Sequence, residues 1–272
     1  MRVLFLATLM LLAGSISAQE LYVFSEPAST RPAKSVAINV AAKFADSRDD
    51  SYFRNRYLPQ VIVGINKNLM VSGGAAFSNY YRLDQLQFDG VKVYGKYRFL
   101  SVDNVHRHFR MAAFAEGGLS SHSYVYDEMT LEGDNDGIMA GLIATQLYNK
   151  FAFSATTSYT KVFVADAANH HDVLNHSSQM ISYSASAGYL LLPKEYTDYR
   201  QLNVNLYLEL LGDKCIDNNR YLFDIAPAVQ LIFNSNTKIN IGGRFQLRGN
   251  MYRVGQQTVQ VGIERTLLNV WK

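Results

Sequence analysis

Residues 89–99 of this chain read DGVKVYGKYRF, and apolar and basic side chains alternate along the segment. The even-numbered positions include Lys92, Lys96 and Arg98, while valine or an aromatic residue occupies most of the odd-numbered ones. Successive side chains of an extended strand point to opposite faces. The pattern therefore predicts a β-strand with one apolar face and one cationic face.

The same period of two recurs along the chain in segments of roughly ten residues, the length of a tilted strand that crosses a bilayer. The predicted strands are Ser35–Phe44, Leu58–Ile65, Leu69–Phe77, Asp89–Phe99, Phe109–Leu119, Ile138–Leu147, Phe151–Tyr159, Ile181–Leu191, Leu202–Leu210, Tyr221–Phe233, Ile239–Leu247 and Val259–Glu264. After Ala18, no apolar run reaches the roughly 20 residues that a membrane-spanning helix needs. A closed barrel is the other structure that satisfies the backbone in lipid. The sequence thus predicts an all-β, antiparallel transmembrane β-barrel of about 12 strands.

The connections between these strands alternate in length. Tight polar turns are predicted at Asn66–Asn68, Tyr148–Lys150 and Asn234–Asn236, and longer polar stretches such as Ser120–Gly137 lie between them. Short turns on the periplasmic side and longer outer loops are typical of outer-membrane barrels. An even number of strands then places both termini in the periplasm.

The first 18 residues have the features of a secretory signal peptide. Arg2 supplies an early charge, Val3–Ala13 is apolar, and the small residues of Ser15–Ala18 precede an expected cut before Gln19. We therefore expect a signal peptide at residues 1–18, a periplasmic N-terminal lead at 19–34 and an outer-membrane β-barrel at 35–272.

The composition excludes several classes of protein. Hydrophobic residues make up 48% of the chain and charged residues 18%, which is not the composition of a disordered protein. The single cysteine, Cys215, excludes a disulfide framework and a CxxC zinc site. The net charge of +3 is too small to indicate a nucleic-acid partner. No cofactor and no metal site is expected.

A secreted β-sandwich or a lipocalin-like barrel would share the period of two. Strands of soluble proteins, however, average about five or six residues, and most of the segments here are longer. Aromatic residues such as Tyr80, Tyr148 and Phe233 also fall near the ends of the segments. A membrane-interface girdle places aromatic side chains there, so the membrane barrel is favoured.

The C-terminal segment Thr258–Trp271 resembles the last-strand signal of outer-membrane β-barrel proteins of Gram-negative bacteria, although Lys272 follows its final aromatic residue. Lys96–Ser101, His108–Phe114 and Gly141–Gln146 resemble a group of such barrels that has no assigned function and is loosely transporter-like. The resemblance implies a barrel with a role in transport. It supplies no catalytic or binding residue.

If the apolar faces contact lipid, the charged residues of the opposite faces line the lumen. The basic candidates are Lys43, Lys92, Lys96, Arg98, Arg110, Lys238, Arg244 and Arg248. The acidic candidates are Glu116, Glu209, Asp224 and Glu264. A cationic lumen attracts anions, which predicts a mild anion preference. The alternative is that these charges pair with one another and fill the interior.

Two further motifs admit a functional interpretation. His176 and Ser178 share one face of a strand end, as the base and the nucleophile of an outer-membrane lipid hydrolase would. Solvated loop residues are the simpler interpretation. The acidic segment Glu132–Gly137 has the carboxylates of a calcium loop but lacks its distant glutamate, which favours a simple turn.

The sequence therefore predicts a non-enzymatic outer-membrane β-barrel that serves as a narrow channel or transporter for small solutes. The alternatives are a structural or assembly barrel with a filled lumen and a lipid hydrolase. The expected partners are outer-membrane lipid and the barrel-assembly machinery.

Overall fold

A computed structural model describes residues 22–47, 53–82, 85–122, 126–163, 177–195, 198 and 200–271. The expected signal peptide lies outside the described residues. The described residues form twelve β-strands. Their bounds are β1 Ser35–Ser47, β2 Phe53–Gly64, β3 Leu69–Ser78, β4 Gln87–Asp103, β5 Arg107–Ser120, β6 Gly137–Tyr148, β7 Phe151–Val162, β8 Gln179–Leu192, β9 Asn203–Cys215, β10 Tyr221–Phe233, β11 Thr237–Gly249 and β12 Gly255–Leu267. No helix in this described part is long and apolar enough to span a membrane.

Each strand pairs antiparallel with its neighbours in sequence, and β1 pairs with β12 to close the barrel. The closing register runs from Val36 opposite Leu267 to Ser47 opposite Gly255. Closure leaves no strand edge unpaired, as a bilayer requires. The predicted all-β barrel of 12 strands is confirmed.

The turn between β10 and β11 shows how local sequence fixes the hairpins. Asn234 and Ser235 both have positive φ, at 49° and 57°. A two-residue turn of type I′ needs positive φ at both central positions, and its twist matches that of the flanking strands. Turns of this short kind lie at the end of the barrel where β1 begins and β12 ends.

The alternating pattern separates the two faces of the wall as predicted. In β4, Val93 and Tyr97 are exposed on the outside, whereas Lys96 between them is buried. Large apolar side chains are exposed on the outward face of every strand. This outward face is apolar, as it must be to contact lipid hydrocarbon.

Several strands continue beyond the segments that the pattern predicts. β4 extends over Gln87–Asp103, and β2 begins at Phe53 rather than at the predicted Leu58. Arg56 therefore lies in a strand, opposite Lys43 of β1. Ladder hydrogen bonds do not require apolar side chains, so the polar ends of these strands stay paired.

Replacing Val93 with arginine should lower the free energy of unfolding of the inserted barrel by about 2–4 kcal/mol, the cost of a basic side chain at the bilayer midplane. Val93 is 65% exposed, near the middle of β4. Urea unfolding in lipid vesicles measures the change. The matched control is Val105→Arg in the turn after β4, where the side chain is 87% exposed. An equal loss in both variants would contradict a lipid-facing β4.

Candidate functional site

The barrel interior is occupied by residues 22–34, here called the lead. Its first residue, Tyr22, is buried against Leu147, Ala152, Tyr207 and Ala228, which belong to β6, β7, β9 and β10. Further along, the amide of the fully buried Ala28 donates to Oγ1 of Thr145 on β6, at 2.9 Å. A segment that contacts so many strands lies within the barrel. The sequence analysis predicted a periplasmic lead at residues 19–34, and the described part of that segment instead lies within the lumen.

Glu209 of β9 anchors the start of the lead. Its carboxylate accepts hydrogen bonds from the backbone amides of Val23, Phe24 and Ser25, at 2.9, 3.0 and 2.8 Å. The hydroxyl of Ser25 donates to the same carboxylate at 2.6 Å. Glu209 is fully buried, so these charge-assisted bonds replace the water that the carboxylate loses.

Two ion pairs hold the rest of the lead. Nζ of Lys96 donates to Glu26 at 2.7 Å, and the hydroxyl of Tyr94 donates to the same carboxylate at 2.8 Å. Arg31 forms a two-bond pair with Glu264 of β12. The lead thus bridges β4, β9 and β12, on different sides of the barrel.

A second segment enters from the opposite end of the barrel. Residues 126–136, here called the inward loop, belong to the connection between β5 and β6. Its carboxylates pair with basic residues of the wall and of the neighbouring connections: Asp127 with Arg220, Glu128 with Arg244 and Arg253, Glu132 with Lys43, and Asp134 with Arg56. The loop is therefore held against the wall by a series of ion pairs.

These ion pairs keep the loop carboxylates charged. Burial alone would raise the pKa of Glu128, but the charges of Arg244 and Arg253 lower the pKa to about 2. Burial opposes ionisation of Glu132 in the same way, and Lys43 and Lys92 lower its pKa to about 2. A lowered pKa stabilises the folded state above the ordinary glutamate value of about 4.3. That contribution is lost progressively as the pH falls from the ordinary value through the lowered one.

Apolar contacts also hold the inward loop against the wall. Met129 is 3% exposed and packs among Val162, Met180, Cys215, Leu222 and Met251. Gly133 has a φ of 88°, and a Cβ there would lie 2.6 Å from Cβ of Asp89 and 2.9 Å from Cβ of Ala76. The loop backbone therefore approaches β3 and β4 more closely than any other residue type allows.

A cavity of about 420 Å³ remains between the lead, the inward loop and the wall. This volume lies in the range of small-molecule sites, roughly 300–1,000 Å³. The basic residues described at its lining are Lys43, Lys92 and Arg244. The acidic ones are Glu26, Glu116, Glu128, Glu132 and Asp213. Among the described lining residues, carboxylates thus outnumber basic groups, because the lead and the loop add three of them.

The structure brings most of the lumen candidates into ion pairs or hydrogen bonds. The pairs within the wall are Lys92 with Glu116 at 3.6 Å, Lys238 with Glu264 at 3.4 Å, and Arg244 with Asp224 at 2.5 Å. Lys43 binds the inward loop, and Lys96 and Glu209 bind the lead. Arg98 donates to the carbonyl of Lys67 at 2.5 Å, and Arg110 donates to Asp103 at 3.1 Å and Ser29 at 3.2 Å.

Arg248 differs from these candidates. The register of β10 and β11 shifts so that Asp224 faces Gln246 while Phe223 faces Arg248, which leaves Leu247 without a partner. Directly opposed residues share a face of the sheet, and one extra residue reverses the alternation. Arg248 is accordingly exposed on the outward side near the end of β11.

Of the proposed hydrolase pair, Ser178 lies within the described residues and His176 lies outside them. Oγ of Ser178 accepts a hydrogen bond from Nζ of Lys161 at 2.9 Å and donates to Asp217 at 3.1 Å. Its described neighbours are therefore a cation and a carboxylate at the rim of the barrel. Over the described ranges, no group of three or more His, Cys, Asp or Glu residues is placed to hold a metal ion.

The sequence reasoning missed three parts of the site. Arg56 was left outside the predicted strand Leu58–Ile65, Arg253 was not considered, and Glu132–Gly137 was taken for a simple turn. One signal was available: the strands carry a surplus of basic residues, and residues 127–136 carry five acidic ones. Complementary charge of that kind indicates a segment that docks on the wall.

The closed wall with its apolar exterior and charged, occupied interior defines an outer-membrane-type β-barrel. No family model matches this chain, and no curated protein matches it. Among solved structures, an outer membrane channel from Pseudomonas putida F1 is similar with a TM-score of 0.60 at 8% identity, over 90% of this chain and 100% of that one.

Two porins resemble the chain more weakly. The NanC porin matches with a TM-score of 0.49 at 9% identity, over 85% of this chain and 100% of that one. The KdgM porin matches with a TM-score of 0.45 at 14% identity, over 84% of this chain and 98% of that one. At such identities the likeness concerns the fold, which is that of an outer-membrane β-barrel.

Proposed function

We propose that this protein is a narrow channel of the outer membrane for small polar solutes. The observation that carries the proposal is the charged cavity of about 420 Å³ between the lead and the inward loop. Wall residues from opposite sides of the barrel line it, so a solute that moved along the barrel axis would pass through it. The apolar exterior supports insertion in outer-membrane lipid, which would be the task of the barrel-assembly machinery.

The charge of the path bears on its selectivity. Lys43, Lys92 and Arg244 line the cavity from the inward face of the strands, and Arg56 is buried opposite Lys43. The inward loop and the lead place carboxylates against several of them, which offsets the cationic wall. We therefore expect weak selectivity in the unmodified protein, with the anion preference of the wall reduced by these carboxylates.

A structural barrel with a filled lumen is the second candidate. The observation that favours it is the dense bonding of the lead to Glu209, Lys96 and Glu264 inside the barrel. A filled barrel would carry no ions at any voltage, whereas a channel would do so even when narrow. Either role is non-enzymatic.

Purified protein in planar lipid bilayers distinguishes the two candidates. We expect discrete conductance steps that are small for a barrel of this size, because two segments narrow the lumen. Planar bilayers without protein and planar bilayers with heat-denatured protein serve as controls. A complete absence of conductance over the accessible voltage range would contradict the channel and favour the filled barrel.

A further inference from the structure

Three of the basic groups that hold the inward loop, Lys43, Arg56 and Arg244, lie on one arc of the wall formed by four adjacent strands. Lys43 of β1 and Arg56 of β2 are directly opposed in the register, so they are neighbours on the same face. Arg244 of β11 opposes Thr258 of β12, which in turn opposes Ala45 of β1. Adjacent strands are about 4.8 Å apart. The positive groups of the arc are therefore separated by one or two strand spacings. A small molecule with several anionic groups can match these separations.

The partners of these groups fall into two kinds. Arg244 and Arg253 bind Glu128 of the loop but also Asp224 of β10, which stays in the wall. Lys43 binds Glu132, and Arg56 forms two hydrogen bonds to Asp134. Asp89, the nearest wall carboxylate to Arg56, is 3.5 Å from its Nε. Lys43 and Arg56 therefore depend most on the loop for a close anionic partner.

Buried basic side chains do not remain without a partner, since an uncompensated buried charge is strongly destabilising. Arg56 is only 2% exposed. If the loop leaves the lumen, Arg56 keeps Asp89 at 3.5 Å, and a solute anion at the positions of the Glu132 and Asp134 carboxylates would restore the close partners of Lys43 and Arg56. The loop thus occupies, with its own side chains, a site whose chemistry suits an anionic solute.

We propose that Lys43 and Arg56 form a binding site for small polyanions with two or more carboxylates, and that such a solute replaces the inward loop and widens the path. This inference rests on the proposed channel. The loop carboxylates are tethered, so their effective concentration at the wall is high. A single carboxylate competes poorly with them, whereas a molecule that binds both basic groups gains the same advantage of linkage.

Thiol labelling at Met129 reports whether the loop has left the wall. The protein carries Met129→Cys in a Cys215→Ala background, and the probe is a membrane-impermeant maleimide. The thiol is buried while the loop is seated. Citrate should raise the labelling rate severalfold, and acetate at equal ionic strength should leave it nearly unchanged. Equal acceleration by both salts would show simple screening and overturn the proposal, as would no acceleration by citrate.

Two further variants separate the site from the loop. With Lys43→Gln and Arg56→Gln together, the citrate response should disappear, whatever the starting rate. With Gly133→Ala, labelling should be fast without citrate, because a Cβ meets Asp89 and Ala76 and the left-handed backbone is strained for a residue with a side chain. Retained heat-modifiable migration on gels checks that each barrel is folded.

The labelling assay does not depend on conduction. A citrate response without conductance would support the anion site and contradict the channel. Conductance without a citrate response would support the channel and overturn the site. A citrate response that persists in the Lys43→Gln, Arg56→Gln protein would also overturn it, since the solute would then bind elsewhere.

Discussion

Replacing Glu209 with alanine should raise the single-channel conductance severalfold. The carboxylate accepts the amides of Val23, Phe24 and Ser25 inside the barrel. Without it, these partly buried amides lose their acceptor, and the penalty for a fully buried unsatisfied donor, about 1–3 kcal/mol, is the upper bound for each. The start of the lead should then leave the lumen and open the path. Planar bilayer recordings of the variant and the unmodified protein measure the change.

The matched control is Asp213→Ala. Asp213 lies on the same strand and lines the same cavity, but its closest described ionic contact is Arg244 at 3.8 Å rather than the lead. Its conductance should stay close to that of the unmodified protein. Glu209→Gln, which keeps an acceptor oxygen, should fall between the two. If Glu209→Ala conducts no better than Asp213→Ala, the lead does not restrict the path.

The wall could be predicted because each strand repeats a local pattern. Val91, Val93 and Lys96 indicate their faces from sequence alone, and the period of two needs no knowledge of distant residues. The same rule fails where one residue interrupts the alternation. At Leu247 the register shift turns Arg248 outward, and the alternation of residues around Arg248 does not predict this shift.

The contents of the lumen could not be predicted in this way. The lead has no period of two, and Pro27 and Pro32 make it unlike a strand. Its contact with Glu209 joins backbone amides to a residue more than 180 positions away. Alternation correctly directed Glu209 inward but could not name its partner, since any amide is an equal donor. The interior is therefore specified by pairings between distant segments rather than by local periodicity.

Removing the loop charges with Glu128→Gln, Glu132→Gln and Asp134→Asn together should shift the channel strongly toward anions. Lys43 and Arg56 lose their closest carboxylates, and Arg244 and Arg253 retain only wall carboxylates. The basic arc is then exposed to the path and attracts anions. The reversal potential in a potassium chloride gradient measures the shift. It should shrink as salt rises, because the screening length falls from about 10 Å at 0.1 M to about 3 Å at 1 M.

Asp136→Asn is the control for this shift. Asp136 belongs to the same loop, but its carboxylate accepts the backbone amide of Ser120, at 2.5 Å, and among the described residues no wall cation pairs with it. Removing its charge alters the loop without freeing the arc, so the reversal potential should change little. An equal shift in the control would mean that the net charge of the loop, rather than the pairing with Lys43 and Arg56, sets the selectivity. An unchanged reversal potential in the triple variant would mean that the arc does not face the path that ions take.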